Sequence, residues 1–246
     1  MRLLEVQTEL LKTQSNVTSI MNSLQQALNS PTNNNDKVQP IKGLNLGCGT
    51  NILKGWLNTD ISGQSPIIYL DAGKPFPFKD NYLDYIFSEH MFEHLTYESG
   101  KSMLRECYRT LKPGGVLRLT MPALEFLIKL YNESETALHQ RYARWSLQQF
   151  APQMYADCVK RGKSVPMAMI MNNFMRFWGH QMIYDFPLLE AMLTDVGFLD
   201  IKRCEAGQSD HVFLRGLEHH GDVIPKWANE LESMTVEAAK PSLSRK

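Results

Sequence analysis

A chain of 246 residues, 43% of them hydrophobic, is long enough for one globular domain with an elaboration or a small second lobe. Its 26 basic and 26 acidic residues cancel, so no global charge draws it to nucleic acid or an anionic membrane. No apolar run reaches the ~18 residues of a membrane span, and Met1-Arg2 leads into an amphipathic segment; neither a span nor a signal peptide is expected, and a cytoplasmic location is. The scattered Cys48, Cys107, Cys158 and Cys204 form no Cys-x-x-Cys pair, so no zinc or disulfide framework is expected.

Residues 3–28 place Leu3, Val6, Leu10, Val17, Ile20, Leu24 and Ala27 at heptad spacing, which predicts an amphipathic helix. It is either a homodimerisation arm or a helix packed on its own domain; the extra Leu4, Leu11, Met21 and Leu28 widen the stripe toward packing. A polar linker, Ser30 to Asp36, follows. Gly43 to Leu46 predicts a strand feeding the turn Gly47-Cys48-Gly49-Thr50-Asn51, and a second strand, Trp56 to Asp60, ends in an acid. That is the layout of a nucleotide site: glycines let backbone N–H groups approach a ligand, and a strand-end aspartate can accept from both ribose hydroxyls. Ile52 at the third glycine position excludes the dinucleotide fingerprint, and an isolated Lys54 excludes a phosphate loop. The crossover between these strands is too short for a normal helix, and the N-terminal helix is expected to cover the bare sheet face.

A third strand is predicted in Ser65 to Leu70, before Asp71, and a fourth in Leu83 to Phe87, opening onto Ser88-Glu89-His90-Met91-Phe92-Glu93-His94-Leu95. Thr96 is the expected N-cap of a helix that Lys112-Pro113-Gly114-Gly115 ends, with Val116 to Met121 as fifth strand. Nearly continuous apolar strands alternating with helices indicate a parallel sheet covered on both faces. Residues 122–184, rich in methionine and aromatics, read as a helical cap over the strand ends, where Arg141, Arg144, Arg161, Lys163 and Arg176 either hold an anionic or sugar-phosphate group or form an ordinary solvated basic face, the second reading being favoured for any single residue. Asp185 and Gly197 bound a further helix, and Ile201 to Cys204 with His211 to Leu214 are expected to form a closing hairpin.

Taken in order, Gly47-Cys48-Gly49, Asp60, Asp71-Ala72, Pro77-Phe78-Lys79-Asp80, Tyr85-Ile86-Phe87-Ser88, Glu93-His94-Leu95 and Arg109-Thr110-Leu111-Lys112-Pro113-Gly114-Gly115 resemble the class I S-adenosylmethionine-dependent methyltransferases, nearest a methyltransferase type 11-like, uncharacterised bacterial branch. The likeness spans residues 42–121, with an echo at 185–217. It implies an α/β fold: a Rossmann-like, doubly wound, mostly parallel sheet with a C-terminal antiparallel hairpin and a helical cap insertion. The expected organisation is an N-terminal helix and linker (1–35), a cofactor domain (36–121 with 185–217), a cap (122–184) and a tail (218–246). The implied cofactor is S-adenosyl-L-methionine, held by Asn45, Gly47, Cys48, Gly49, Asp60, Ile61, Asp71, Ala72 and Ser88; Asp60 would take the ribose hydroxyls and Asp71 would face the adenine. Asn45 stands where the family often has an acid. Asn51 replaces a third glycine and is expected to adopt the left-handed conformation that turn would need.

Methyl transfer from a sulfonium is an in-line displacement with a neutral leaving group, so the protein aligns the acceptor and supplies a base where the acceptor carries a proton. His90 is the first catalytic candidate, His180 the second and Glu89 the third, each weighed against a purely structural hydrogen bond. The expected acceptor is a small molecule such as a sugar or glycan precursor, with no nucleic-acid partner. Two other readings stand beside this one: a cofactor-binding scaffold without turnover, and, more remotely, a zinc hydrolase built on His90-x-x-Glu93-His94. No metal is expected on the first reading.

Overall fold

The computed structural model describes residues 43–242. The predicted N-terminal helix and linker, with their packing or dimerising role, lie outside the described residues. The described chain forms a seven-stranded sheet: β1 Gly43–Leu46, β2 Leu57–Asp60, β3 Ile68–Tyr69, β4 Leu83–Glu89, β5 Leu111–Pro122, β6 Leu199–Cys204 and β7 Ser233–Ala239. Their spatial order is β3-β2-β1-β4-β5-β7-β6, with β1 to β5 mutually parallel and β7 antiparallel to both its neighbours. This is the doubly wound, Rossmann-like α/β sheet with an antiparallel pair at one edge. The chain leaves β1 on one side for β2 and returns on the other for β4, so the strand order reverses at β1. A crevice opens at the carboxyl end of the strands there, where open α/β sheets bind ligands.

β1 is buried throughout, and Leu44, Leu46, Ile86, Leu117 and Leu119 form the centre of the core. Helix α1, Tyr97–Thr110, starts where Thr96 Oγ1 accepts from the N–H of Ser99 at 3.3 Å and buries Met103, Leu104 and Cys107. Four helices fill the segment after β5: α2 Leu124–Asn132, α3 Ala137–Phe150, α4 Pro152–Lys160 and α5 Met167–Arg176. The segment leaves and rejoins the body at one point, where the Leu124 N–H donates to Tyr184 O at 2.9 Å. Helix α6, Phe186–Val196, is capped by Asp185, whose Oδ1 accepts from Leu188 N–H at 2.9 Å, and stops at Gly197 with φ 109°. Two short helices, α7 His220–Val223 and α8 Lys226–Glu232, precede β7. None of the described helices is long and apolar enough to cross a membrane.

The predicted closing hairpin needs correcting at its second strand. Residues Val212–Leu214 form one 3₁₀ turn on the surface, with Val212 and Phe213 exposed, and the strand that pairs with β6 is β7, inside the stretch read as a tail. The crossover from β1 to β2 contains no helix, as its length requires; it is a turn held by Cys48 N–H on Thr59 O at 2.9 Å and Asn51 N–H on Cys48 O at 2.8 Å.

Candidate active site

The turn after β1 is built from the inside. Gly47, Gly49 and Gly55 have φ of 68°, 49° and 81°, a region L side chains avoid. Gly47 also has a steric reason: a Cβ there would stand 2.2 Å from Met91 Cγ. Asn51 does not adopt the left-handed conformation expected of it. Its side chain donates to Leu217 O at 3.0 Å and Glu89 Oε2 at 3.4 Å, so it ties the turn to neighbouring elements through hydrogen bonds. Asn45 is 1% exposed, and its amide nitrogen braces the turn through Asn51 O at 2.8 Å and Asn58 Oδ1 at 2.9 Å. Cys48 is buried, and burial together with the charge of Asp60 pushes its thiol up to about 11, which leaves it un-ionised and its backbone as its contribution.

Asp60 ends β2 with Oδ2 accepting from Gly49 N–H at 3.1 Å and Oδ1 from Ser62 N–H at 2.8 Å. The acid and the glycine turn are thus joined, and the carboxylate is only partly buried. Ile61, next in the chain, is 68% exposed on the same rim. Asp71 Oδ1 accepts from Gly73 N–H at 2.9 Å, and Ala72 between them is buried. Ser88 is buried, with its hydroxyl donating to Leu46 O at 2.8 Å, so β4 is fastened to the last residue of β1.

Past Ser88 the chain enters a second region. Glu89 accepts from the N–H groups of His219 and His220, both at 2.9 Å, as well as from Asn51; its carboxylate is a strut between the glycine turn and α7. His90, at φ 47°, lines a cavity of about 570 Å³ between the strand ends and the cap. Tyr142, Trp145, Phe150, Phe174 and Trp178 supply its aromatic wall, and Glu93, His94, His180, His220 and Glu232 its polar groups. Of the three catalytic candidates, His90 and His180 therefore face this cavity and Glu89 does not.

His90 is held from two sides: Nε2 lies 3.1 Å from Ser233 Oγ and Nδ1 3.3 Å from Glu93 Oε1, while its ring stacks on His220 at 3.8 Å between centroids. Burial presses its pKa down, but contact with Glu93 and the charges of Glu93, Glu232 and Glu89 outweigh burial and raise it above the usual histidine value. His180 moves the other way. Burial lowers it, against the hydrogen bond of Nδ1 to Phe174 O at 2.7 Å. Tyr142 donates to Glu232 Oε2, and burial followed by that carboxylate raises the phenol well above its usual value.

The basic residues of the cap form the solvated face that the sequence favours for each of them, not an anion site. Arg141, Arg144, Arg161, Lys163 and Arg176 are all exposed and none lines the cavity; Arg141 lies over the Trp227 ring, 4.1 Å from its centroid. Arg141 and Arg144 sit on the outward face of α3 and Arg176 ends α5, while Arg161 and Lys163 lie in the turn and loop that follow α4. The zinc-hydrolase pattern also fails in its geometry. It needs two histidines on one α-helical face, whereas Phe92–His94 is a single 3₁₀ turn and His90 precedes it with a left-handed backbone. Sequence reasoning missed Glu232 and His220 as cavity residues. The amphipathic run Trp227 to Glu232 was the available signal for Glu232, and it lay in the supposed tail.

Residues 53–119 match the family described as "Methyltransferase domain", a stretch beginning just after the glycine turn and ending in β5. Among solved structures, an S-adenosylmethionine-dependent methyltransferase from Archaeoglobus fulgidus is 18% identical, over 81% of this chain and 86% of its own, with a TM-score of 0.43. One from Thermotoga maritima is 15% identical, over 83% and 84%, with a TM-score of 0.42. The phosphoethanolamine N-methyltransferase 2 of Haemonchus contortus, in complex with S-adenosyl-L-methionine, is 15% identical, over 90% of this chain and 52% of its own, with a TM-score of 0.41. No curated protein matches significantly. The strand order and the matched sequence define a class I methyltransferase domain. Residues 53–119 thus carry a methyltransferase domain, and S-adenosyl-L-methionine is the cofactor of the S-adenosylmethionine-dependent class.

Proposed function

We propose that the chain transfers the methyl group of S-adenosylmethionine, seated over the Gly47 to Asn51 turn, to a small molecule in the cavity under the cap. One observation carries this reading. Adjacent residues at the end of β4 belong to the two regions: Glu89 is bonded to the glycine-turn residue Asn51, and His90 forms the cavity wall. Their Cα atoms are ~3.8 Å apart, so a methyl donor at one region and an acceptor in the other meet at this strand end.

In this assignment Asp60 takes the ribose hydroxyls, with Ile61 against the adenine and Asp71-Ala72 beside it. Gly47, Cys48 and Gly49 offer backbone to the methionine end, near the backbone of Ser88. Asn45 acts through the turn it braces. When bound there, S-adenosylmethionine would supply a methyl group on a sulfonium, able to pass to a lone pair of the acceptor with the sulfur departing as a neutral thioether. His90 and His180 both line the cavity, so in this reading they shape the acceptor's seat and with it the alignment from which most of the rate of such a displacement arises.

The volume falls in the ~300–1,000 Å³ range of small-molecule sites. Its wall carries the carboxylates of Glu93 and Glu232 and no lysine or arginine, so the acceptor is neutral or cationic and a sugar phosphate fits poorly. Calorimetric titration with S-adenosylmethionine and S-adenosylhomocysteine tests the framework. One site per chain is expected, weakened at least tenfold in Asp60→Ala, and absence of binding by both compounds would overturn the reading.

A further inference from the structure

We propose that Glu93, His94 and His180 form a binding site for a divalent first-row transition metal ion, zinc being the best chemical match, in the wall of the cap cavity. One ligand atom from each of the three lies within 4.8 Å of the others, and all three residues line the cavity. Zinc ligands about 2.0–2.1 Å from the ion stand roughly 3.3 Å apart in a tetrahedron, so modest rotations of the two imidazoles close the set.

The second, independent observation is the state of Glu93. Its side chain is 1% exposed, yet neither carboxylate oxygen receives a well-aligned hydrogen bond from any described residue. His90 Nδ1 stands 3.3 Å from Oε1 and offsets part of the charge, leaving Oε2 without any partner. A buried carboxylate in that condition carries a desolvation penalty that a cation would remove.

His180 is prepared for the role. Its Nδ1 lies 2.7 Å from Phe174 O, and because a carbonyl only accepts, Nδ1 carries the hydrogen and Nε2 keeps its lone pair. A ligating histidine usually donates its other nitrogen to a carbonyl or carboxylate in this way. The two ligand-bearing segments are also stapled together, since Glu93 O accepts from both Gln181 N–H at 2.8 Å and Met182 N–H at 3.1 Å. The spacing between the ligands is therefore set by backbone on both sides. Two imidazoles and one carboxylate suit zinc over magnesium or calcium. With three protein ligands, a coordination position remains on the cavity side, open to an oxygen or nitrogen of a bound small molecule.

The pattern His90-x-x-Glu93-His94 thus contains two of the three ligands, but the second histidine is His180, more than eighty residues on. The inference does not rest on the methyltransferase reading, and its probe is the metal alone. The full chain, freed of metal by chelation, is titrated with Zn²⁺ by calorimetry and with Co²⁺ by visible absorption, where a four- or five-coordinate site gives bands far stronger than the aqueous ion. One ion per chain is expected. His94→Ala and His180→Ala should each weaken it at least tenfold, and His219→Ala, outside the cluster, should not. His94 is exposed, so its variant should keep the wild-type far-ultraviolet spectrum; if it does not, His94→Gln takes its place. Absence of one-to-one binding, or binding unmoved by the two histidine variants, would overturn the proposal. S-adenosylhomocysteine binding, measured separately, distinguishes that failure from a failure of the cofactor reading.

Discussion

Arg118 and Glu93 are both charged side chains closed off from solvent, at 0% and 1% exposure, and the fold treats them in opposite ways. Arg118 reaches from β5 to Glu218 and to Glu237 at 2.6 Å, and its remaining donors meet Gln208 O at 2.9 Å and Glu205 O at 3.3 Å. Burial alone would lower its pKa, but the two carboxylates raise it. Every side of that charge is answered from within the protein, which pins the 205–218 loop across the sheet edge. Glu93 has the His90 ring near one oxygen and nothing on the other. A satisfied buried charge organises a fold, whereas an unsatisfied one is expected where something else binds.

The largest effect should come from breaking the first of these. Arg118→Met leaves Glu218 as a buried acid without its cation and Glu237 with only Lys202 Nζ at 4.0 Å, and should lower the free energy of unfolding by ~3–5 kcal/mol, read from urea denaturation. Second, Tyr142→Phe removes the donor to Glu232 Oε2, turning a satisfied acid into one like Glu93; a loss of ~1–3 kcal/mol is expected in the same assay.

Third comes a half-exposed pair that tests what solvent does to the contrast. Arg109 holds the Glu106 carboxyl below the usual range, with the backbone N–H of Phe76 adding to it. A depressed acid stabilises the fold above the ordinary carboxylate pKa of ~4.3 and loses that contribution as pH falls through the folded value. Glu106→Gln should therefore be about 1 kcal/mol less stable than wild type at neutral pH, and the gap should close on acidification. The smallest effect is expected at Glu93→Gln, which removes a poorly answered charge and should change stability by less than ~1 kcal/mol, in the stabilising direction. A loss as large as that of Arg118→Met would mean that Glu93 is structural after all.

What was legible in the sequence was local. Gly47-Cys48-Gly49 and Asp60 announced the turn after β1 and the acid at the end of β2, because steric freedom and a strand-end acid are properties of single positions. Thr96, Asp185 and Gly197 marked helix ends for the same reason. What failed was non-local. Ser233–Ala239 has Met, Glu and two alanines in it, which suit a helix as well as a strand, and Glu237 looks like a surface residue until Arg118 is placed against it. Val212 and Phe213 imitate a strand by composition, but none of the described strands pairs with them. His180 meets Glu93 and His94 only through the folded path of the cap, and no spacing rule within either segment reports that meeting.

The place of β7 has a consequence for how the protein is made. It is the last strand among the described residues, yet it is wedged between β5 and β6. Through synthesis of the whole cap and of β6, the side of β5 that will receive β7 stays without its partner, with the apolar Leu117, Leu119 and Met121 along it. At roughly 5–20 residues per second, that interval on the ribosome lasts on the order of ten seconds. A nascent chain with an unpaired hydrophobic strand is open to pairing with its neighbours on a polysome. Yield in a cell should therefore respond to chaperone supply and translation speed more than the stability of the finished protein would suggest.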